Sequence, residues 1–149
     1  MRLLLIRHGL SSFNIEKRVQ GRIDISKLTT EGQEQALQAG KVLSGIKIDS
    51  IYSSPLERAS STTKTIIQEL KSDIKPLYDE DLLEVDLGEW SGLKIEELKS
   101  NFPEEYKVWQ ENPNNLEIKD KRGTSYKPIE KLMIQARGFI DKIIGKYSS

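Results

Sequence analysis

Arg7, His8 and Gly9 follow directly on the apolar run Leu3 to Ile6. Four consecutive apolar residues are too few for the buried stripe of a helix, but they suit a strand buried on both faces. A cation, an imidazole and a glycine then stand at that strand's carboxyl end, the edge where open α/β sheets bind ligands. A second guanidinium, Arg58, falls in the first turn of a helix expected directly after a second strand. In a parallel sheet the two points share one edge. Taken singly, Arg7 and Arg58 read equally well as surface ion-pair partners, and His8 as an interior histidine with its hydrogen bonds made. Taken together they make little sense as core packing, because each guanidinium brings a charge that needs compensation. They do suit a dianionic phosphoryl group, which arginine grips with paired hydrogen bonds. A helix N-terminus at Ser54 adds a positive field to the same place. A neutral imidazole nitrogen there can attack phosphorus and form a phosphohistidine, while the arginines neutralise the equatorial oxygens.

The elements that must hold these residues are legible from periodicity and capping. Residues Ile15 to Asp24 are polar and irregular, with Gly21 inside, and read as a loop. Thr29 is the natural N-cap of a helix with Glu31 in its first turn, a packing face of Gln33, Ala36, Leu37, Gly40 and Leu43, and a stop at Gly45. Ile46 to Ser53 reads as a second strand. Ser54, Pro55 and Glu57 then form a capping box with a proline start. Ala59, Thr62, Thr63, Ile66, Ile67 and Leu70 supply that helix's buried face. Ile74 to Tyr78 is a third strand, which makes the order strand, helix, strand, helix, strand, the mark of a mostly parallel sheet. Between Asp79 and Gly92 acidic residues interleave with Leu82, Leu83, Val85, Leu87 and Trp90, as in a loop at the active edge. Leu93 to Lys99 and Pro103 to about Gln110 read as short helices, and Glu111 to Asn115 as turn. Leu116 to Lys127 shows no regular pattern. A last helix starts near Pro128 and carries Ile129, Leu132, Met133, Ala136, Ile140, Ile143 and Ile144 at spacings of three and four, with Gly145 after it.

Composition excludes several classes. The 149 residues suffice for one domain with a real core, expected to run from 1 to 149. Charged residues make up 31%, but the formal net charge is zero and the pI about 6.6, so no overall field draws the chain to nucleic acid or a membrane. There is no cysteine, which removes disulfides, thiol catalysis and thiolate metal sites. One histidine, without metal-ligand spacing around it, makes a zinc site improbable, and no cofactor is implied. No apolar run is long enough for a signal peptide or a span, so the expected setting is soluble and cytoplasmic.

The conjunction of these motifs resembles the histidine phosphatase superfamily, the phosphoglycerate-mutase-like family. Leu5-Ile6-Arg7-His8-Gly9 with Ser11 and Asn14 is similar to its signature, and Leu28-Thr29, Gly32, Gln35 and Ala36 to its first helix. Ser53-Ser54-Pro55-Leu56, Arg58, Ala59 and Thr62 are similar to its second helix. Leu83-Glu84, Asp86-Leu87-Gly88-Glu89-Trp90 and Gly92 are similar to its acidic loop. The resemblance implies an α/β three-layer sandwich, with a mostly parallel central sheet and helices on both faces. It implies that His8 is the nucleophile, that Arg7 and Arg58 bind the transferred group, and that Asn14 is a further donor beside Ser11. It also implies that Glu84 protonates the leaving oxygen and then helps to activate water. Residue chemistry alone leaves Glu80, Asp81, Glu84 and Asp86 open for that role, although a carboxylate near Leu83, Leu87 and Trp90 can have a raised pKa. Gly21 to Asp24 is expected to border the substrate, with Arg22 as a contact.

The chain departs from the family at two places. Relatives carry a second histidine, followed by glycine, on a strand after the last long helix and beside the first strand. Here His8 is the only histidine and the sequence ends at Ser149. The expectation is a C-terminally incomplete domain with an open edge beside Leu3 to Ile6, weak turnover and retained anion binding. A short or frameshifted member, a fragment, and an oligomer such as a homodimer covering that edge all stay open. The second departure is Gly123-Thr124-Ser125, where many relatives have glycine-glutamate-serine. The expected function is hydrolysis of a phosphorylated small molecule. Mutase-like phosphoryl transfer is an alternative, disfavoured by the short stretch between Gly92 and Lys127, which suggests an open site. An impaired phosphate-binding module is another.

Overall fold

In the computed structural model, which describes residues 1–120 and 122–147, the chain divides into two compact units. Lys121, within the stretch expected to be irregular, and Ser148 and Ser149 lie outside the described residues.

The first unit comprises Met1–Ile15 and Asp24–Leu83. After a single turn, α1 (Ser12–Ile15), comes the long helix α2 (Thr30–Leu43). Thr29 starts it as expected, its hydroxyl accepting the Gly32 N–H at 3.0 Å. Gly45, at φ +90°, follows its end. The buried face is Gly32, Ala36 and Gly40, whereas Gln33, expected on that face, is exposed. The face is set by close approach: a Cβ at Gly40 would lie 2.7 Å from that of Glu69. Glu69 belongs to α3 (Glu57–Glu69), which packs against α2.

Between these helices runs β1 (Tyr52–Ser53), which pairs in parallel with β2 (Leu77–Tyr78). Flanking bonds run from Leu77 N–H to the Ile51 carbonyl at 2.9 Å and from Asp79 N–H to the Ser53 carbonyl at 3.0 Å. The parallel arrangement is as read from the sequence, and the chain is α/β with helices beside a small sheet. Each strand is nonetheless much shorter than the apolar pattern suggests. Residues 3–6 depart furthest: they form no strand, and Leu3, Leu4, Leu5 and Ile6 are 44% to 85% exposed. A strand exists only where a neighbour takes its N–H and C=O groups, and no described segment pairs with this one.

The start of α3 also differs from expectation. Ser54 and Pro55 stand outside the helix, and the Ser54 hydroxyl accepts only the Leu56 N–H, at 3.4 Å. The Glu57 N–H instead goes to the carboxylate of Asp24 at 2.6 Å, a stronger acceptor than a hydroxyl. The buried residues of α3 are Arg58, Ser60, Thr62 and Ile66, so its inner face is mostly polar where the sequence suggested an apolar one.

The second unit comprises Glu16–Ile23 and Glu84–Ser149. Its core centres on Trp90, 1% exposed, with Val85, Leu87, Leu98, Leu116 and Ile118. Trp90 ends a 3-10 turn, Gly88–Trp90, and meets Trp109 edge to face, with centroids 6.2 Å apart. The helices α4 (Ile95–Asn101) and α5 (Pro103–Glu111) lie close to their expected places. The stretch 116–127 is not irregular: β3 (Ile118–Lys119) and β4 (Ser125–Tyr126) form an antiparallel hairpin. Asp120 closes its turn, accepting the N–H groups of Arg122 and Thr124 at 2.8 and 2.9 Å. The last helix, α6 (Pro128–Tyr147), runs through Gly145 instead of stopping there. Pro128, Phe139 and Ile143 are its buried residues, while Met133, Ile140 and Ile144 of the expected stripe are exposed.

Candidate active site

The loop carrying His8 leaves residues 3–7 and packs on the start of α2. Gly9 is buried, and a Cβ there would collide with the carbonyl of Gly32. The reverse also holds, since a Cβ at Gly32 would collide with Leu10. Only paired glycines permit this approach. The Leu10 N–H is taken by the Gln35 side chain at 2.9 Å and its carbonyl by Thr29, so both polar groups after Gly9 are anchored on α2.

His8 is half-buried, and its Nδ1 lies 2.7 Å from the Gly9 carbonyl. A carbonyl only accepts, so Nδ1 is the donor in this bond. The Gly9 N–H donates to the Thr62 hydroxyl at 3.1 Å, and that hydroxyl donates to the Arg58 carbonyl at 2.8 Å. His8 and Arg58, 50 positions apart in sequence, are therefore tied through two hydrogen bonds. Arg58 is 1% exposed, so its charge acts in a poorly solvated place where a dianion is attracted more strongly than in water. Arg7 is exposed.

Asn14 turns back on the same loop. Its Oδ1 accepts the Ser11 N–H at 3.0 Å and the Ser11 hydroxyl at 2.8 Å. Ser11 itself is fully buried and serves to hold Asn14. Five of the residues named from sequence thus fall in the first unit: Arg7, His8, Ser11, Asn14 and Arg58. Asp24, which takes the N–H of Glu57 next to Arg58, and Thr62 read in the sequence only as loop-border and helix-face residues, not for the bonds they make. An aspartate in a loop and a threonine on a helix are commonplace, and only the fold brings them to their partners.

Gly21, Arg22 and Glu84 fall in the second unit. Gly21, at φ +50°, is buried against Ser91, whose Oγ would lie 2.5 Å from an added Cβ. Arg22 donates from Nε to the Glu84 carbonyl at 3.1 Å and from Nη2 to Gln135 at 2.7 Å, so Arg22 and Glu84 are neighbours. The apolar cover expected over Glu84 is not there: its side chain is exposed, and Oε1 accepts the Val85 N–H at 3.1 Å. Leu87 and Trp90 turn inward to the core instead. The loop after Glu84 is held by Tyr126, whose hydroxyl donates to the Asp86 carbonyl at 3.1 Å. Burial, then the Asp86 charge, pushes that phenol up to about 12. Among the described residues no group of three histidine, aspartate or glutamate side chains could hold a metal ion. No helix among them is long and apolar enough to cross a membrane.

Comparison with known proteins gives consistent results. A family model described as histidine phosphatase superfamily (branch 1) matches residues 3–149. The chain is 37% identical over 136 residues to the probable 2-carboxy-D-arabinitol-1-phosphatase of Arabidopsis thaliana, covering 91% of this chain and 27% of that protein. It is 35% identical over 127 residues to a 2,3-bisphosphoglycerate-dependent phosphoglycerate mutase of Bartonella tribocorum, covering 79% and 61%. The solved structure of Bacillus stearothermophilus YhfR matches with a TM-score of 0.84 at 28% identity, covering 95% of this chain and 66% of that one. The chain thus spans between 27% and 66% of the length of these relatives.

Proposed function

Because the chain belongs to the histidine phosphatase superfamily, we propose that it hydrolyses a phosphorylated small molecule through a phosphohistidine on His8. The observation that carries the reading is the bond from Nδ1 of His8 to the Gly9 carbonyl, which makes Nε2 the nitrogen that attacks phosphorus. In the first step the bond from Nε2 to phosphorus forms as the bond from phosphorus to the ester oxygen breaks. Glu84 gives that oxygen its proton. Arg7, Arg58 and the Asn14 amide hold the phosphoryl oxygens, whose charge they offset in the transition state. In the second step Glu84 takes a proton from water, which attacks phosphorus and releases inorganic phosphate and His8. Arg22, bonded beside Glu84, is the substrate contact. The kinship with YhfR supports the three-layer arrangement as the fold in which these groups work.

The test is turnover of p-nitrophenyl phosphate, with trapping of the labelled protein by an alkaline detergent quench. Wild-type chain should yield an acid-labile, base-stable phosphoryl label that His8→Ala abolishes. A label that survives in His8→Ala overturns the phosphohistidine. A second reading is a module that binds a phosphorylated ligand with little turnover. Phosphate binding without label in the wild-type chain selects that reading.

A further inference from the structure

We infer that Thr62 is a positioning residue that holds the nucleophile loop and the phosphoryl-binding helix in register, an inference resting on the roles proposed for His8 and Arg58. Thr62 is 4% exposed, on the inner face of α3 one turn after Arg58. Its hydroxyl does two things at once. It accepts the Gly9 N–H at 3.1 Å and donates to the Arg58 carbonyl at 2.8 Å. A hydroxyl has one proton to give and lone pairs to receive, so both bonds are satisfied together. The bond to Arg58 is an ordinary contact within a helix turn. The bond from Gly9 is different, because it crosses 53 positions of sequence to the peptide next to the nucleophile. Both backbone polar groups of Gly9 are engaged: its carbonyl accepts from Nδ1 of His8 and its N–H reaches Thr62. A shift of Thr62 therefore moves both the imidazole and the backbone from which the Arg58 guanidinium extends. The glycine pair Gly9 and Gly32 fixes how closely the loop lies on α2, and Thr62 links it to α3 by a side-chain bond from Gly9.

Packing and positioning make opposite predictions for two variants. Thr62→Val keeps the volume and removes the hydroxyl, whereas Thr62→Ser keeps the hydroxyl and removes a methyl. Affinity for inorganic phosphate is measured by titration calorimetry on the full chain and both variants, with Arg58→Ala as reference and circular dichroism as the fold check. Positioning predicts that Thr62→Val weakens phosphate about tenfold, the effect of losing a buried hydrogen-bond partner, while Thr62→Ser stays within about twofold. Equal losses in both variants, or wild-type affinity in Thr62→Val, overturn the inference. Should Thr62→Val not fold, amide exchange in the unmodified chain decides: a protected Gly9 N–H with wild-type affinity in Thr62→Ser supports it, and exchange at Gly9 as fast as an open loop overturns it. A wild-type chain that binds no phosphate, or binds it as well without Arg58, overturns the phosphoryl site itself and this inference with it.

Discussion

A neutral imidazole has one nitrogen that donates and one that can attack, and at His8 the neighbouring Gly9 carbonyl claims the first. The residue that makes this possible is glycine for a steric reason. Its missing Cβ leaves room for the Gly32 carbonyl, which is backbone and cannot swing away. Gly9→Ala should therefore destabilise the chain by about 1–3 kcal/mol, the range for forcing extra atoms into a packed site. The urea midpoint should fall with an unchanged slope. Gly138 supplies the control, since an added Cβ meets nothing within 4 Å there and the residue lies inside α6. Gly138→Ala should raise the midpoint slightly, by about 0.5–1 kcal/mol of helix stability.

At the scale of elements, two carboxylates outside the helices decide how local structure ends. Asp24 takes the Glu57 N–H and so starts α3 where Ser54 and Pro55 do not. Asp24→Ala should cost about 0.5–2 kcal/mol, as for other lost N-caps, and Asp24→Asn should restore most of it. Chemical denaturation of the two variants measures the difference. In the hairpin, bonds from the Thr124 and then the Arg122 N–H hold the Asp120 carboxyl below its ordinary value of 3.8. A carboxyl lowered in the folded chain stabilises it above the ordinary value, and that contribution is lost as the pH falls through the lowered one. The turn between β3 and β4 should accordingly loosen below pH 3.8. The Thr124 amide resonance should titrate there, and Asp120→Asn should abolish the transition.

For the molecule as a whole, the exposed run 3–6 is the feature with the widest consequence. Leu5 is 85% exposed and its three neighbours are nearly half open, with peptide groups that no described strand pairs. Contiguous apolar surface with unpaired backbone invites association. The chain should therefore self-associate as its concentration rises in sedimentation velocity runs. Leu5→Lys should shift that association to at least about tenfold higher concentration, because a charged edge is solvated and resists pairing. A wild-type chain that sediments as a monomer throughout would refute this.

How much was legible in the sequence follows from the range of each interaction. Thr29 before Glu31 and Gly32 marks a helix start within a few residues, and the structure has that cap. The family follows from the order and spacing of the motifs alone. The stretch 116–127 was readable in part, since Asp120 and Gly123 are turn residues and Leu116 to Lys119 alternates apolar and polar, but strands of two residues each are too short to mark themselves. What the sequence could not give is every bond made across the chain. The capping of α3 by Asp24, the tie from Gly9 through Thr62 to Arg58, and the exposure of Glu84 depend on which surfaces meet after folding. The same holds for residues 3–6, whose apolar pattern sets a preference for a strand but cannot supply its neighbour. The sequence by itself determined which chemical groups are present and where helices begin. Only the tertiary structure decided which of them are held together, because hydrogen bonds and burial belong to pairs of segments and not to either one alone.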